Sequence, residues 1–175
     1  MKRRWLLFLL PVAFLGLALF FFERLSQDPA DRDSALMARD FPAFEATTLE
    51  DEQQRVDQSL LHGQLTLVNV WGEWCAACRQ EMPQLLDLAD RGIRLVGVNY
   101  RDTRENGLAF LDEFGDPFAA NIFDPEGELG FELGVIGAPE TFVVDAQGVI
   151  RYHHKGYVSP EDVRNRLMPE VEKWR

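Results

Sequence analysis

Apolar positions along the chain follow three patterns, and each predicts a different element. The first is an unbroken run of eighteen uncharged residues, Trp5 to Phe22. Wound as a helix it is roughly 27 Å long, close to the hydrocarbon thickness of a bilayer. The second is the short apolar run, at Leu65–Trp71, Ile93–Tyr100, Ala119–Phe123 and Thr141–Asp145, with Val149–His154 returning from the last of them as a hairpin partner. These runs have strand length and are rich in branched and aromatic residues. The third is the helical period. Met82, Leu85, Leu86 and Ala89 predict a helix over Ala76–Asp90, and Leu108, Leu111 and Phe114 predict one over Arg104–Phe114. Val163, Leu167 and Val171 predict a last helix over Pro160–Trp174, with Pro169 expected to interrupt it.

Shorter signals complete the order. Phe44–Leu49 alternates and is followed by a charged turn at Glu50–Gln54 and by Arg55-Val56, an N-terminal hairpin. Leu60-Leu61 before Gly63 predicts one helical turn. Asp124-Pro125-Glu126-Gly127 is a turn, Glu128–Leu133 a short helix ended by Gly134, and Ala146-Gln147-Gly148 a hairpin turn. The sum is a βαβ unit, an inserted αβ and a terminal ββα. This is an α/β fold read as a three-layer α/β/α sandwich with an added N-terminal hairpin and one transmembrane helix before it.

Charge refines the organisation. The net charge is −11, yet residues 1–24 carry Lys2, Arg3, Arg4 and Arg24 against only Glu23, so the remainder stands at −14. Basic residues before the apolar run and an acidic region after it put the N-terminus inside and the domain outside. No small-x-small cleavage site follows Phe20-Phe21-Phe22, so an uncleaved anchor is expected rather than a signal peptide. The reading is a basic tip at 1–4, an anchor at 5–22, a polar tether at 23–40 and a domain at 41–175. An acidic domain argues against nucleic acid as a partner.

The chain has two cysteines, Cys75 and Cys78, at the exit of one predicted strand and the first turn of a helix. Free N–H groups and the positive dipole end favour a thiolate there. Three readings compete. A C-x-x-C beside a βαβ pattern reads as a redox dithiol. A structural zinc site needs two more ligands, which only His62, His153 and His154 could help to supply. A structural staple across so short a loop constrains little chain. In the redox reading Cys75, at the helix mouth, is the exposed attacking thiol and Cys78, one turn inward, the resolving thiol. Of the nearby tryptophans, Trp71 reads as core and Trp74 as lining the approach. Pro83 is expected to kink the active-site helix.

Residues Asn69-Val70-Trp71-Gly72-Glu73-Trp74-Cys75-Ala76-Ala77-Cys78-Arg79-Gln80-Glu81 resemble the active site of the thioredoxin superfamily. More narrowly they resemble the CcmG/DsbE family of membrane-anchored reducing thioredoxins of cytochrome c maturation. Gly134-Val135-Ile136-Gly137-Ala138-Pro139-Glu140-Thr141 strengthens the narrower match, and the likeness runs from about Phe41 to the end. It implies a thioredoxin-like domain and a disulfide that opens and closes between Cys75 and Cys78. It implies a cis Pro139 facing the dithiol, with Gly137 suiting the turn and Ala138 pairing its backbone with a substrate strand. It also implies the periplasmic face of a bacterial inner membrane. By resemblance the substrate is apocytochrome c or a dithiol partner that has reduced it, and the electron donor is a membrane thiol transporter of the DsbD/CcdA type. No cofactor is expected, and a monomer is. Where many thioredoxins carry a buried Asp, this chain has Asn69, which cannot take a proton; Glu81 and Glu140 become the candidate acceptors for the proton of Cys78. Family members often have an acidic residue where this chain has Tyr157.

Ala76-Ala77 places no His or Arg between the cysteines, while Glu73, Glu81 and Glu140 put carboxylates near them. Carboxylates raise a thiol pKa, which favours the reducing direction. The rivals are a TlpA/ResA-like reductase serving copper-site assembly and a copper-binding module using Cys75, Cys78 and His154. His153 and His154 otherwise read as strand residues.

Overall fold

The computed structural model describes residues 37–175 together with Phe14, Leu15, Leu17 and Phe20. The chain divides into two compact units, Met1–Arg32 and Asp33–Arg175. In the first, the four described residues are helical and exposed. The rest of the anchor expected at 5–22, the basic tip and most of the tether lie outside the described residues. Among the described residues no helix is long and apolar enough to cross a membrane.

The second unit is built on β1 (Glu45–Thr48), β2 (Arg55–Asp57), β3 (Thr66–Trp71), α1 (Ala76–Asp90), β4 (Arg94–Tyr100), α2 (Arg104–Phe114), β5 (Asn121–Asp124), α3 (Glu128–Glu132), β6 (Glu140–Val144) and β7 (Ile150–Lys155). A C-terminal helical stretch closes it: α4 (Pro160–Asp162), a π turn (Val163–Leu167) and α5 (Met168–Trp174). The seven strands form one sheet in the order β2-β1-β5-β4-β3-β6-β7. β3, β4 and β5 are parallel and the other neighbours antiparallel. Asp40 bridges to Val149, and Ala38 and Phe41 donate to carbonyls of Ile150 and Gly148. Residues expected in the tether thus belong to the edge of the sheet.

Because β3 is buried on both faces, it reads as a continuous apolar run and not as an alternation. One face carries Leu67, Trp71, Leu95 and Val143 beneath α1, α2 and the C-terminal helix. The other carries Val68, Val70, Val96, Val98 and Phe142. Its cover is thin: Phe41, Leu61 from the 3₁₀ turn Gln58–Leu61, and Leu129 and Leu133 around α3.

The helices turn somewhat differently from expectation. The buried stripe of α1 is Cys78, Glu81, Met82, Leu85 and Leu88, with Leu86 and Ala89 on its flank. In α2 it is Gly107, Phe110 and Leu111, and Leu108 is exposed. A Cβ on Gly107 would lie 3.1 Å from the Asn99 amide, so glycine allows this close approach and thereby sets the rotation of α2. The helix α1 continues unbroken through Pro83. Pro169 does not break the last helix either. It follows a π turn in which the N–H of Met168 reaches back five residues to Val163, so the lost donor is absorbed by a wider turn.

Candidate active site

β3 ends at Trp71, and the turn Gly72–Trp74 delivers Cys75 to the N-cap of α1. Cys75 and Cys78 are joined as a disulfide. Cys75 Sγ accepts the N–H of Cys78 at 3.1 Å, so a backbone donor at a helix N-terminus is aimed at that sulfur. Cys75 is not the freely exposed thiol expected. It is 4% exposed against 1% for Cys78. Both sulfurs sit within the apolar cluster under α1, with Ala77 and Ala138 packed against it. Cys75 is the less buried residue of the two, and both lie in an apolar surface.

The tryptophans divide as their positions imply. Trp71 is buried and stacked between Phe110 and Phe118, at 5.1 and 5.9 Å. Trp74 is 47% exposed, and its indole N–H donates to the carbonyl of Tyr100 at 3.1 Å. Gly72 makes room for that ring, since a Cβ there would lie 2.6 Å from the indole nitrogen. The Ala138–Pro139 bond is cis, and Ala138 packs against the apolar cluster that holds both cysteines. Gly134 at φ 61 closes α3, with Gly134 N–H to Phe131 O and Val135 N–H to Gly130 O, and sends the chain into this loop.

The three acids of the expected acidic site go to three places. Glu73 is ion-paired with Arg79, and both side chains are part-exposed. Glu81, three residues after Cys78 on the same helix face, is fully buried. Asn69 Nδ2 donates to its Oε1 at 2.9 Å and the N–H of Val158 to its Oε2 at 2.8 Å. Burial pushes its carboxyl up to about 7, against the pull of those two hydrogen bonds.

Glu140 corrects the expectation for it. Thr141 faces the dithiol side, where its Oγ1 accepts from Asn69 Nδ2 at 3.1 Å. Strand alternation therefore turns Glu140 to the opposite face. There its Oε2 lies 2.5 Å from His153 Nε2, and its Oε1 accepts the N–H of Ile136 at 3.1 Å. The structure brings Glu81 and Asn69 together beneath α1 and leaves Glu140 across the sheet. Of the three acids, Glu81 is the one buried on the helix face that carries Cys78.

Several supporting groups carry no local sequence signal. Asp102 accepts the N–H of Glu73 at 2.7 Å and the amide of Asn99 at 3.0 Å, which fixes the turn before Cys75. Thr141 and His153 were readable as strand residues, but their partners depend on strand pairing that the local sequence does not encode. His154, proposed as a copper ligand, is buried with Nε2 3.2 Å from the carbonyl of Tyr157. Among the described residues no three His, Cys, Asp or Glu side chains are grouped to hold a metal ion.

Comparison with known proteins agrees with this geometry. Residues 37–167 match the Redoxin family. The thiol:disulfide interchange protein DsbE of Pseudomonas aeruginosa is 42% identical over 169 residues, spanning 97% of this chain and 93% of that protein. Its Escherichia coli counterpart is 39% identical over 180 residues, spanning 99% and 97%. A crystal structure from Chlorobium tepidum that bears the DsbE name superposes with a TM-score of 0.67 at 25% identity, over 80% of this chain and 98% of that one. Near-full-length identity of this order, on a fold that sets a Cys-x-x-Cys pair at a helix mouth beside a cis-proline, places the chain in the CcmG/DsbE family of thioredoxin-like thiol:disulfide oxidoreductases.

Proposed function

We propose that the protein is a membrane-anchored reductant of cytochrome c maturation, held through residues 5–22 in a bacterial inner membrane with its domain in the periplasm. Reduced Cys75 attacks a disulfide of apocytochrome c, or of a partner dithiol protein that has reduced it. The substrate S–S bond breaks, one product thiolate leaves, and a mixed disulfide forms on Cys75. Cys78 passes its proton to Glu81 and attacks the Cys75 sulfur. The second product thiolate leaves and the protein closes its own disulfide, so two electrons pass to the substrate. A membrane dithiol donor of the DsbD/CcdA type restores the reduced pair.

The observation that carries this reading is the cap itself: Cys75 is the less buried of the two residues, and its Sγ receives a helix N-terminal N–H. The reducing direction rests on Glu81. Once ionised, a fully buried carboxylate on the same helix face as Cys78 opposes thiolate there, which makes the dithiol a better electron donor. Trp74 and Ala138 flank the approach, the first as an apolar wall and the second as a backbone partner for an extended substrate.

Trapping tests the proposal. Cys78→Ser should stall the mixed disulfide on Cys75, and mass spectrometry of the adduct should name a c-type apocytochrome or a dithiol protein serving it. Recovery of a copper-site protein would favour the TlpA/ResA-like assignment. Adducts that form through Cys78 in a Cys75→Ser variant, with none on Cys75, would sink the mechanism.

A further inference from the structure

The loop that carries Pro139 is pinned from the far side of the sheet. It runs from the end of α3 to the start of β6, and two bonds hold it to groups on β7 or just beyond. The carbonyl of Pro139 accepts the N–H of Gly156 at 2.9 Å. The N–H of Ile136 donates to Glu140 Oε1, and Glu140 Oε2 meets His153 Nε2 at 2.5 Å. Both side chains of that pair are nearly fully buried. The His153 ring stacks on Phe142 at 4.0 Å, and its Nδ1 has no hydrogen-bond partner, so Nε2 is the nitrogen through which the ring can donate to the carboxylate. Burying a carboxylate is costly unless its oxygens are occupied. Glu140 has one oxygen on a ring and one on the loop backbone, so each bond makes the other worthwhile.

What this pair holds out is a large apolar side chain. Ile136 is 88% exposed, two residues before Ala138, and gains nothing from packing in the folded chain. The bond at its own N–H holds the backbone from which this side chain projects. We propose that His153 and Glu140 are positioning residues for the substrate-docking loop, and that Ile136 is a specificity contact for an apolar side chain beside the disulfide of an extended polypeptide substrate. The inference rests on the reading of Ala138 as the substrate's backbone partner. Small disulfides, which reach Cys75 without lying along the loop, fall outside it.

The test uses the full-length reduced protein and three variants, Ile136→Ser, His153→Phe and His153→Gln. Phe keeps the stack on Phe142 and removes the donor; the Gln side-chain amide can restore it. Each reacts with hydroxyethyl disulfide and with a disulfide-closed peptide that carries a Leu next to its cysteine, and Ile136 amide exchange is followed in parallel. The expected result is about tenfold slower reaction with the peptide for Ile136→Ser and His153→Phe. Rates with hydroxyethyl disulfide should stay within about twofold, and His153→Gln should match the parent. Ile136 amide exchange should quicken about tenfold in His153→Phe alone, and replacing the peptide Leu with Ser should erase the Ile136→Ser defect. Equal peptide rates in the parent and Ile136→Ser would overturn the proposal, as would equal losses with both disulfides. Ile136 is exposed, so that variant folds even if His153→Phe does not. Failure of the parent protein itself to react with hydroxyethyl disulfide would instead overturn the redox reading beneath it.

Discussion

Glu81→Gln isolates the buried carboxyl from everything else at the site. Glu81 is fully buried, and burial moves its carboxyl from 4.5 up to about 7. The unfolded chain releases that proton near 4.5 and the folded chain holds it until about 7. Between those values the folded state binds more protons than the unfolded one, so stability falls as pH rises through the window. A displacement of this size is worth about 3 kcal/mol, all of it lost by about pH 8. Gln does not titrate. It can still accept the Val158 N–H, and a half-turn of the Asn69 amide would offer Oδ1, which now has no partner, to the new amide group.

Relative to the parent, the oxidised Glu81→Gln protein should therefore gain about 3 kcal/mol between pH 4.5 and about pH 8. Urea unfolding at a series of pH values reads this directly, because the midpoint of the parent should fall over the window while that of the variant should not follow it. The same substitution should remove an inflection near pH 7 from the rate at which Cys78 resolves a mixed disulfide. A stability difference between the two proteins that stays constant with pH would refute the desolvation argument, and with it Glu81 as the proton acceptor.

Other substitutions probe the frame around the site. Asp145 accepts the N–H groups of Gln147 and Val149 at 2.9 and 3.0 Å and Arg151 Nε at 2.6 Å. Burial raises its carboxyl, but these bonds together hold it below the usual carboxylate range. Its stabilisation is present above the ordinary value and is lost as pH falls through the depressed one. Asp145→Asn should thus cost about 1–3 kcal/mol at neutral pH by urea unfolding, with the gap closing in acid. In Gly97→Ala the new Cβ would lie 2.2 Å from Asn121 Oδ1 and 2.6 Å from Trp71 Nε1, so the melting temperature should drop with a loss of about 1–3 kcal/mol. Pro83→Ala restores a donor for the carbonyl of Arg79 inside an unbroken α1 and should stabilise the fold by about 1–2 kcal/mol, read by the same melts.

The elements were legible wherever one periodicity dominated. α1 and α2 have the bounds that their spacing implies, and the strands shift by only a residue or two, because apolar runs and turn residues mark both ends. What the local sequence could not carry was rotation and pairing. The buried face of α2 follows Gly107 and Phe110 because a glycine can approach Asn99, a contact made across the fold. The same limit decided the site. Cys75, Cys78 and Glu81 share one helix and were readable as a group from spacing alone. Glu140 was placed with them because the family resemblance brings the Pro139 loop against the dithiol. Yet one residue of strand alternation, fixed by the pairing of Thr141 with Asn69, turns it away. The exposure of Cys75 was misjudged for a related reason. A helix N-cap is open on the helix, but here Ala138, from a loop more than sixty residues downstream, packs against the cluster that holds it.

Asn69 explains how a carboxyl can titrate in so dry a place. Glu81 must be accommodated in two states. Ionised, it needs a donor on each oxygen, and Asn69 Nδ2 and the Val158 N–H provide them. Protonated, it carries a hydroxyl that needs an acceptor. The unpartnered Asn69 Oδ1 becomes one if the amide turns over, and the Thr141 hydroxyl beside it can reverse its role from acceptor to donor at the same time. An aspartate at position 69 could not do this: ionised it offers no donor, and two buried carboxyls in contact push one of them to much higher pKa. An alanine would leave both states short of a partner. Burial thus raises the Glu81 carboxyl, and the amide at position 69 pulls against that rise while offering a partner to either protonation state.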